Sequence, residues 1–97
     1  MRTRTTLLAA TAALVLGTAC AGAAELSLQL NWKAGGDHAP IYYALSQGWY
    51  EEAGVDLAVL QGSGSGQAAT ALSVGQVDLA ITDTPTALQF IGEGGTL

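Results

Sequence analysis

The sequence predicts a mixed α/β fold with its elements in the order β-α-β-α-β-α. Two observations predict it: short apolar segments typical of strands alternate with segments of helical spacing, and glycines or turn clusters separate them. Strands that alternate with helices pair in parallel through right-handed crossovers. We therefore expect parallel strands with helices on both faces of the sheet.

Composition excludes several classes of protein. With 49% hydrophobic and 11% charged residues among 97, the chain is not a disordered polymer and has room for one domain at most. A net charge of −5 makes nucleic acid an unsuitable partner. The sequence has one cysteine and one histidine, so it predicts neither an internal disulfide nor a metal site, and no cofactor is expected.

The first 24 residues have the pattern of a secretory signal peptide. Arg2 and Arg4 form a basic start, an apolar run follows over Leu7–Leu16, and small residues end the segment. The alternative, a transmembrane anchor, needs about 20 apolar residues, and this run is interrupted well before that. We expect export to a bacterial periplasm and a mature chain over residues 25–97.

Cys20 leaves a second outcome open for this segment. A bacterial lipoprotein signal places a cysteine after small residues, as here, but has Leu three places earlier, where this chain has Gly17. Lipid anchoring through Cys20 is therefore the less favoured alternative to cleavage after Ala23 or Ala24.

The first strand and helix of the mature chain follow from its periodicity. Leu26, Leu28 and Leu30 alternate with polar residues, which predicts a strand over Glu25–Asn31. A turn cluster follows, and Pro40 suits the first turn of a helix. Gly48 is a candidate break in this helix, and Gly54 suits its end.

The second unit begins with Val55–Leu60, an apolar run that predicts a strand buried on both faces. Gln61–Gly66 reads as a loop, and Gln67–Val74 has the spacing of a helix that presents Ala68, Ala71 and Leu72 on one face. Gly75 suits the end of this helix.

The third unit begins with Val77–Ile81, which predicts another buried strand. Thr84 suits the N-cap of a final helix and Pro85 its first turn. Another strand is due where the sequence stops, so we expect these residues to be the N-terminal part of a longer protein.

Three loops are candidates for a ligand site because each follows a strand. They are residues 32–40, 61–66 and 82–84, and ligands of open parallel sheets bind beyond the carboxyl ends of the strands. We therefore expect the three loops to gather at one edge of the sheet.

The first loop offers an aromatic face and an acid–imidazole pair. Trp32 provides a flat ring for stacking, or else belongs to the core. Asp37 is a candidate to orient His38 toward a ligand; the alternative is an N-cap Asp37 with His38 facing solvent. Tyr42 and Tyr43 are adjacent in a helix, so only one of them can face inward.

The second and third loops offer hydrogen-bond donors. The run GSGSG leads into a helix N-terminus, where backbone N–H groups, with Ser63 and Ser65, favour an anion or a carbonyl oxygen; a flexible connection is the alternative. Asp83 is placed to receive a cation or to cap a helix, and its neighbours Thr82 and Thr84 are placed to donate to a ligand oxygen.

Several of these segments together resemble a known family. Residues 30–57, LNWKAGGDHAPIYYALSQGWYEEAGVDL, and residues 73–81, SVGQVDLAI, are similar to the opening of the bilobal solute-binding proteins of ABC transporters. The branch they resemble includes binders of nitrate, sulfonates and thiamine pyrimidine precursors. Residues 33–36 depart from the Asn-rich stretch that is common in the pyrimidine binders.

The resemblance implies the start of lobe one of a two-lobed type II periplasmic binding protein fold. It implies that the protein is not an enzyme but captures a small polar or heteroaromatic solute by lobe closure, as a monomer that delivers it to a membrane permease. Together with the loop positions, it gives the candidate binding residues Trp32, Asp37, His38, Tyr42, Ser63, Ser65, Gly66, Thr82, Asp83 and Thr84.

An enzymatic alternative comes from the same resemblance. In the related thiamine pyrimidine synthases, a histidine of this motif is consumed as the pyrimidine precursor, with iron and pyridoxal phosphate, and His38 matches its place. Those enzymes carry a cysteine-rich iron motif that this sequence lacks. An export signal would also separate the protein from cytoplasmic pyridoxal phosphate.

Overall fold

The computed structural model of the chain describes residues 22–97. Residues 1–21, which include Cys20 and most of the predicted signal peptide over residues 1–24, lie outside this range, so the signal peptide, its cleavage and lipidation stay predictions. The elements, in chain order, are strand β1 (Ala24–Gln29), a 3₁₀ turn (Gly36–His38), helices α1 (Ala39–Ser46) and α2 (Trp49–Glu52), strand β2 (Val55–Leu60), helix α3 (Ser65–Ser73), strand β3 (Leu79–Ala80) and helix α4 (Thr84–Gly92).

The three strands form one parallel sheet in the order β2-β1-β3. The predicted α/β class and parallel pairing are confirmed, and the arrangement fits the start of a periplasmic binding protein lobe. Because β1 is central, the crossovers from β1 to β2 and from β2 to β3 run in opposite directions. Right-handed connections then put α1 and α2 on one face of the sheet and α3 on the other.

The core lies where β1 ends against α3. Leu30 is fully buried, and α3 contributes the buried alanines Ala68, Ala69 and Ala71. Two members of the predicted face of this helix, Ala68 and Ala71, are thus in the core, while Leu72 is half-buried. An alanine side chain has no rotamers to restrict, so burying this helix face costs no side-chain entropy at these positions.

Strand β2 is not buried on both faces, and that prediction is wrong. Its residues alternate between half-buried and exposed, with Asp56, Ala58 and Leu60 on the exposed side. Helix α2 packs against β2, whereas α3 lies against β1 and β3. The second face of β2 is therefore open within the described residues.

Strand β3 is shorter and more exposed than predicted. Only Leu79 and Ala80 pair in the ladder, and the Leu79 side chain is 46% exposed. Hydrogen bonds from Asp78 N to Ser27 O and from Ile81 N to Gln29 O extend the pairing by one residue on each side. As an edge strand, β3 has a described neighbour on one side only.

Glycines end the helices as the sequence predicts. Gly48 separates α1 from α2 with a φ of 73°, Gly54 follows α2, and Gly75 follows α3 with a φ of 71°.

Helix α3 begins at Ser65, within the predicted loop. The N-cap of α4 is Asp83 and not Thr84, because the Asp83 carboxylate accepts the Thr86 N–H. None of the helices described has the length and apolarity needed to cross a bilayer.

Candidate functional site

The loops that follow β1 and β2 are joined by hydrogen bonds. Gly62 N donates to Trp32 O at 3.0 Å, and Ala34 N donates to the Gln61 side-chain oxygen at 3.3 Å. Both bonds connect residues that are far apart in the sequence. The first two predicted ligand loops therefore form one continuous edge.

The loop after β3 joins the same edge through the first residue of α3. Asp83 N donates to the Ser65 hydroxyl oxygen at 3.1 Å, and the Thr82 hydroxyl donates to Ser65 O at 3.3 Å. All three loops thus meet at the carboxyl ends of the strands, as predicted from the topology. We call residues 32–40, 61–66 and 82–84 the carboxyl rim.

Gly62 is essential to this edge, because the chain there runs against the end of β1. A Cβ at Gly62 would overlap the Leu30 carbonyl and lie within 3.1 Å of the Asn31 carbonyl carbon. From sequence, Gly62 belongs to a run of possible N–H donors to a ligand, or else to a flexible connection, and neither interpretation predicts this contact. Its role depends on a contact with a distant segment, which a Gly/Ser pattern does not reveal.

Gln29 is a second residue that sequence reasoning missed. Its side chain is buried, and its Nε2 lies 2.9 Å from Gln61 O and 3.2 Å from Leu30 O. One buried amide therefore holds the ends of β1 and β2 together where the rim begins. A polar residue between two core leucines was the available signal.

Trp32 lies on the rim with its side chain 58% exposed, so the alternative of a core tryptophan is wrong. Its backbone is held between the end of β1 and the Gly62 hydrogen bond. An indole that is anchored by its backbone and open to solvent is suited to stacking on a flat solute.

His38 is buried at 2% exposure, so the alternative of a solvent-facing His38 is wrong. Its Nδ1 accepts the Gly35 N–H at 3.2 Å, and its Nε2 lies 2.8 Å from Asn31 Oδ1. The amide N–H can only donate, which leaves Nδ1 as an acceptor and puts the ring hydrogen on Nε2. His38 is therefore neutral in this arrangement and donates to Asn31.

Asp37 has an exposed side chain, with Oδ1 3.4 Å from His38 Nδ1. The ring is oriented by Asn31 and Gly35 instead of by Asp37, contrary to expectation. The N-cap position of α1 is occupied by His38, so Asp37 is not its N-cap.

Asp83 caps α4, one of the two roles open to it from sequence. Its Oδ1 accepts the Thr86 N–H at 2.9 Å and its Oδ2 accepts the Thr86 hydroxyl at 2.8 Å. The Ser65 hydroxyl, followed by these two Thr86 donors, lowers the pKa of Asp83 to about 2. The carboxylate is therefore ionised at neutral pH and engaged within the rim.

The remaining candidates lie on or beside the rim. Ser63 is exposed, and Gly66 is in the first turn of α3, where N–H groups have no partner within the helix. Thr84 is the exposed first residue of α4. Tyr42 is half-buried, whereas Tyr43 is exposed and meets the Trp49 ring edge-on at a centroid distance of 5.5 Å.

A shallow cavity also lies at the opposite, amino end of the sheet. It is lined by Glu25, Leu26, Ser27, Asp56, Ala58 and Asp78. We place the candidate site at the carboxyl rim, because ligands of parallel sheets bind beyond the carboxyl ends of the strands. Among residues 22–97, no group of three or more His, Cys, Asp or Glu side chains could hold a metal ion.

Comparison with known proteins gives one match. The model of the family described as NMT1/THI5 like matches residues 36–95, a range that includes His38 and the second and third rim loops. No curated protein and no solved structure matches the chain. The family consists mostly of transporter binding proteins and is typically periplasmic. Since the match spans more than half of the sequence, the chain belongs to the NMT1/THI5-like family of ABC solute-binding proteins.

Proposed function

We propose that this protein is the extracytoplasmic substrate-binding component of an ABC importer, and that its solute docks on the carboxyl rim. The observation that carries the proposal is the hydrogen-bonded junction of the three loops, which joins an exposed Trp32 to the first turn of α3. A second lobe then closes over the solute, which requires the solute to bind the closed state better than the open one. In this proposal, residues 25–97 are the first part of lobe one.

The chemistry of the rim supports a small solute that is polar or heteroaromatic. The Trp32 ring is available to stack on a flat heterocycle, which favours a thiamine pyrimidine precursor. The N–H groups at the start of α3 suit an oxyanion, which favours a nitrate-, sulfonate- or taurine-type compound. The contacts we propose are Trp32, Asp37, Tyr42, Ser63, Ser65, Gly66, Thr82, Asp83 and Thr84, with His38 beside them.

The state of His38 supports capture over the enzymatic alternative. A histidine that is consumed as a reactant must present its ring to a cofactor. Here the ring is 2% exposed, and both nitrogens have partners within the chain. We therefore propose binding without catalysis.

Export and delivery complete the proposal. Residues 1–24 act as a cleavable signal peptide, with lipid anchoring through Cys20 as the alternative, and the mature protein works in the periplasm. It acts as a monomer, and the permease in the membrane recognises its closed form.

A thermal-shift comparison of solutes tests this function on the full chain. The probes are 4-amino-5-hydroxymethyl-2-methylpyrimidine, taurine and nitrate. A ligand at 100 times its dissociation constant adds about 2.7 kcal/mol of stability, so one probe class is expected to raise the melting temperature clearly. No shift with any probe, together with turnover of the protein's own histidine in the presence of iron and pyridoxal phosphate, would contradict the proposal.

A further inference from the structure

We infer that His38 is a positioning residue that fixes the loop carrying Trp32 and does so only as a neutral ring. The inference deepens the proposed function and rests on it for its consequence in binding. Three residues carry it, Asn31, Gly35 and His38, which we call the His38 cluster.

The His38 cluster closes the loop that contains Trp32. Asn31 immediately precedes Trp32, and its side chain is tied to His38 Nε2 at 2.8 Å. Gly35, three residues after Trp32, donates its N–H to His38 Nδ1 at 3.2 Å. The ring thus joins both ends of the segment from which the exposed indole projects, while Gly62 holds the Trp32 carbonyl.

This closure favours binding because it restricts the loop before a solute arrives. A loop that must be ordered on binding costs affinity, and ordering it in advance removes that cost. His38 is buried and hydrogen-bonded at both nitrogens, so we assign it to the support of the Trp32 platform and not to the solute itself.

The arrangement also depends on the protonation state of the ring. A proton added at Nδ1 replaces the lone pair that accepts the Gly35 N–H, so two donors then face each other. The charged group that faces Nδ1 is Asp37, at 3.4 Å, and the group that faces Nε2 from the end of β1 is the uncharged Asn31. Protonation therefore favours Asp37 as the partner and releases Gly35.

Two variants of His38 separate its two bonds. His38→Gln keeps a donor near the position of Nε2 but loses the acceptor for Gly35. His38→Asn keeps an acceptor near Nδ1 but cannot reach Asn31. Asn31→Ala cuts the same bond as His38→Asn while leaving His38 in place, which covers the case in which His38→Asn does not fold.

The readout is the motion of the Trp32 ring, measured by time-resolved fluorescence anisotropy in a Trp49→Phe background. The sequence has two tryptophans, so Trp32 is then the only one. We expect His38→Asn, Asn31→Ala and His38→Gln each to enlarge the amplitude of fast ring motion at least twofold, because each removes one of the two bonds that close the loop. Unchanged fast motion in both Asn31→Ala and a folded His38→Asn variant would overturn the inference.

Acidification gives an independent readout on the same protein. We expect fast Trp32 motion in the parent to increase as the ring is protonated by acid, because a proton at Nδ1 displaces the Gly35 N–H. The increase should be absent from His38→Gln, which has no ring to protonate. An increase of equal size in His38→Gln would overturn the dependence on a neutral ring.

Affinity for the hydroxymethylpyrimidine probe distinguishes positioning from contact. We expect His38→Asn to weaken this probe about tenfold, about 1.4 kcal/mol, in parallel with its looser Trp32. Weaker binding with an unchanged Trp32 would overturn the inference in favour of direct contact by His38. If the parent binds no probe and turns over its own histidine, the proposed function fails, while the anisotropy still decides whether His38 positions the loop.

Discussion

The two ends of the sheet use similar residues for different purposes. At the amino end, Asp78 accepts both the N–H and the hydroxyl of Ser27, which locks β3 to β1. At the carboxyl end, Asp83 caps α4 and Ser65 joins it to α3. The carboxyl rim additionally carries an exposed indole, Trp32, whose backbone is held by a hydrogen bond, and the first turn of α3. A hydrogen-bonded serine–aspartate pair is thus no sign of a ligand site by itself.

The largest effect is expected from the rim glycine. Gly62→Ala forces a Cβ into the Leu30 carbonyl, so we expect a loss of about 3 kcal/mol in the free energy of unfolding, measured by chemical denaturation. Its counterpart at the amino end is Gly75→Ala. There the φ of 71° is unfavourable but space is open, and we expect a loss of about 1 kcal/mol. Equal losses at the two positions would mean that the rim is no more tightly packed than the helix turn.

Replacing each of the two tryptophans in turn compares the contributions of the two ends of the sheet to solute affinity. Trp32→Ala should weaken a heterocyclic solute by about 1–3 kcal/mol in calorimetry, the scale of aromatic stacking on bases. Trp49→Ala is the matched control, since Trp49 is also exposed, at 52%, but meets Tyr43 and precedes β2 at the amino end. It should leave affinity unchanged. Equal affinities in both folded variants would remove Trp32 from the solute site.

The fold was predictable where local sequence decides the outcome. Alternation of leucines, helical spacing and the glycines after helices gave the element order, because each depends on neighbours within a few residues. The burial of β2 was not predictable, since it depends on α3 lying against β1 and β3 instead. The short pairing of β3 likewise depends on which strand lies beside it.

For the site, the three loops were predictable from the sequence, but the residues that join them were not. Gln29 bonds to Gln61 across 32 positions, and Gly62 contacts Leu30 across a similar separation. A single sequence carries no record of such pairs. The exposure of Trp32 and the burial of His38 also depend on the assembled rim, so the sequence alone does not predict either of them.

A substitution of Gln29 tests whether its buried amide stabilises the carboxyl rim by joining the ends of β1 and β2. Gln29→Met keeps the side-chain volume but removes the donor to Gln61 O and Leu30 O, so we expect a loss of about 1.5 kcal/mol in the free energy of unfolding. Ser27→Ala, two residues earlier on β1, keeps the backbone bond from Ser27 N to Asp78 and should cost less. A larger loss for Ser27→Ala would reverse the comparison, making the amino end the more dependent on side-chain hydrogen bonds.

The smallest expected effect is on the loss of folding stability at low pH, and it compares Asp83 with Asp78 directly. The pKa of Asp83 is lowered to about 2 by Ser65 and Thr86, and that of Asp78 is lowered by the backbone N–H and the hydroxyl of Ser27. Each of these carboxyl groups has a lower pKa in the folded state than in the unfolded state, where it is near 3.9. Such a group stabilises the fold fully above its unfolded pKa. This stabilisation is lost as the pH falls toward the folded pKa. Asp83→Asn should therefore flatten the decline of stability between about pH 4 and pH 2, followed by denaturant titration at each pH. Asp78→Asn should flatten it as well, and because both groups are exposed, both changes should be small. If neither variant alters the slope, the serine bonds at the two ends do not hold these carboxylates ionised, and the electrostatic part of the comparison fails.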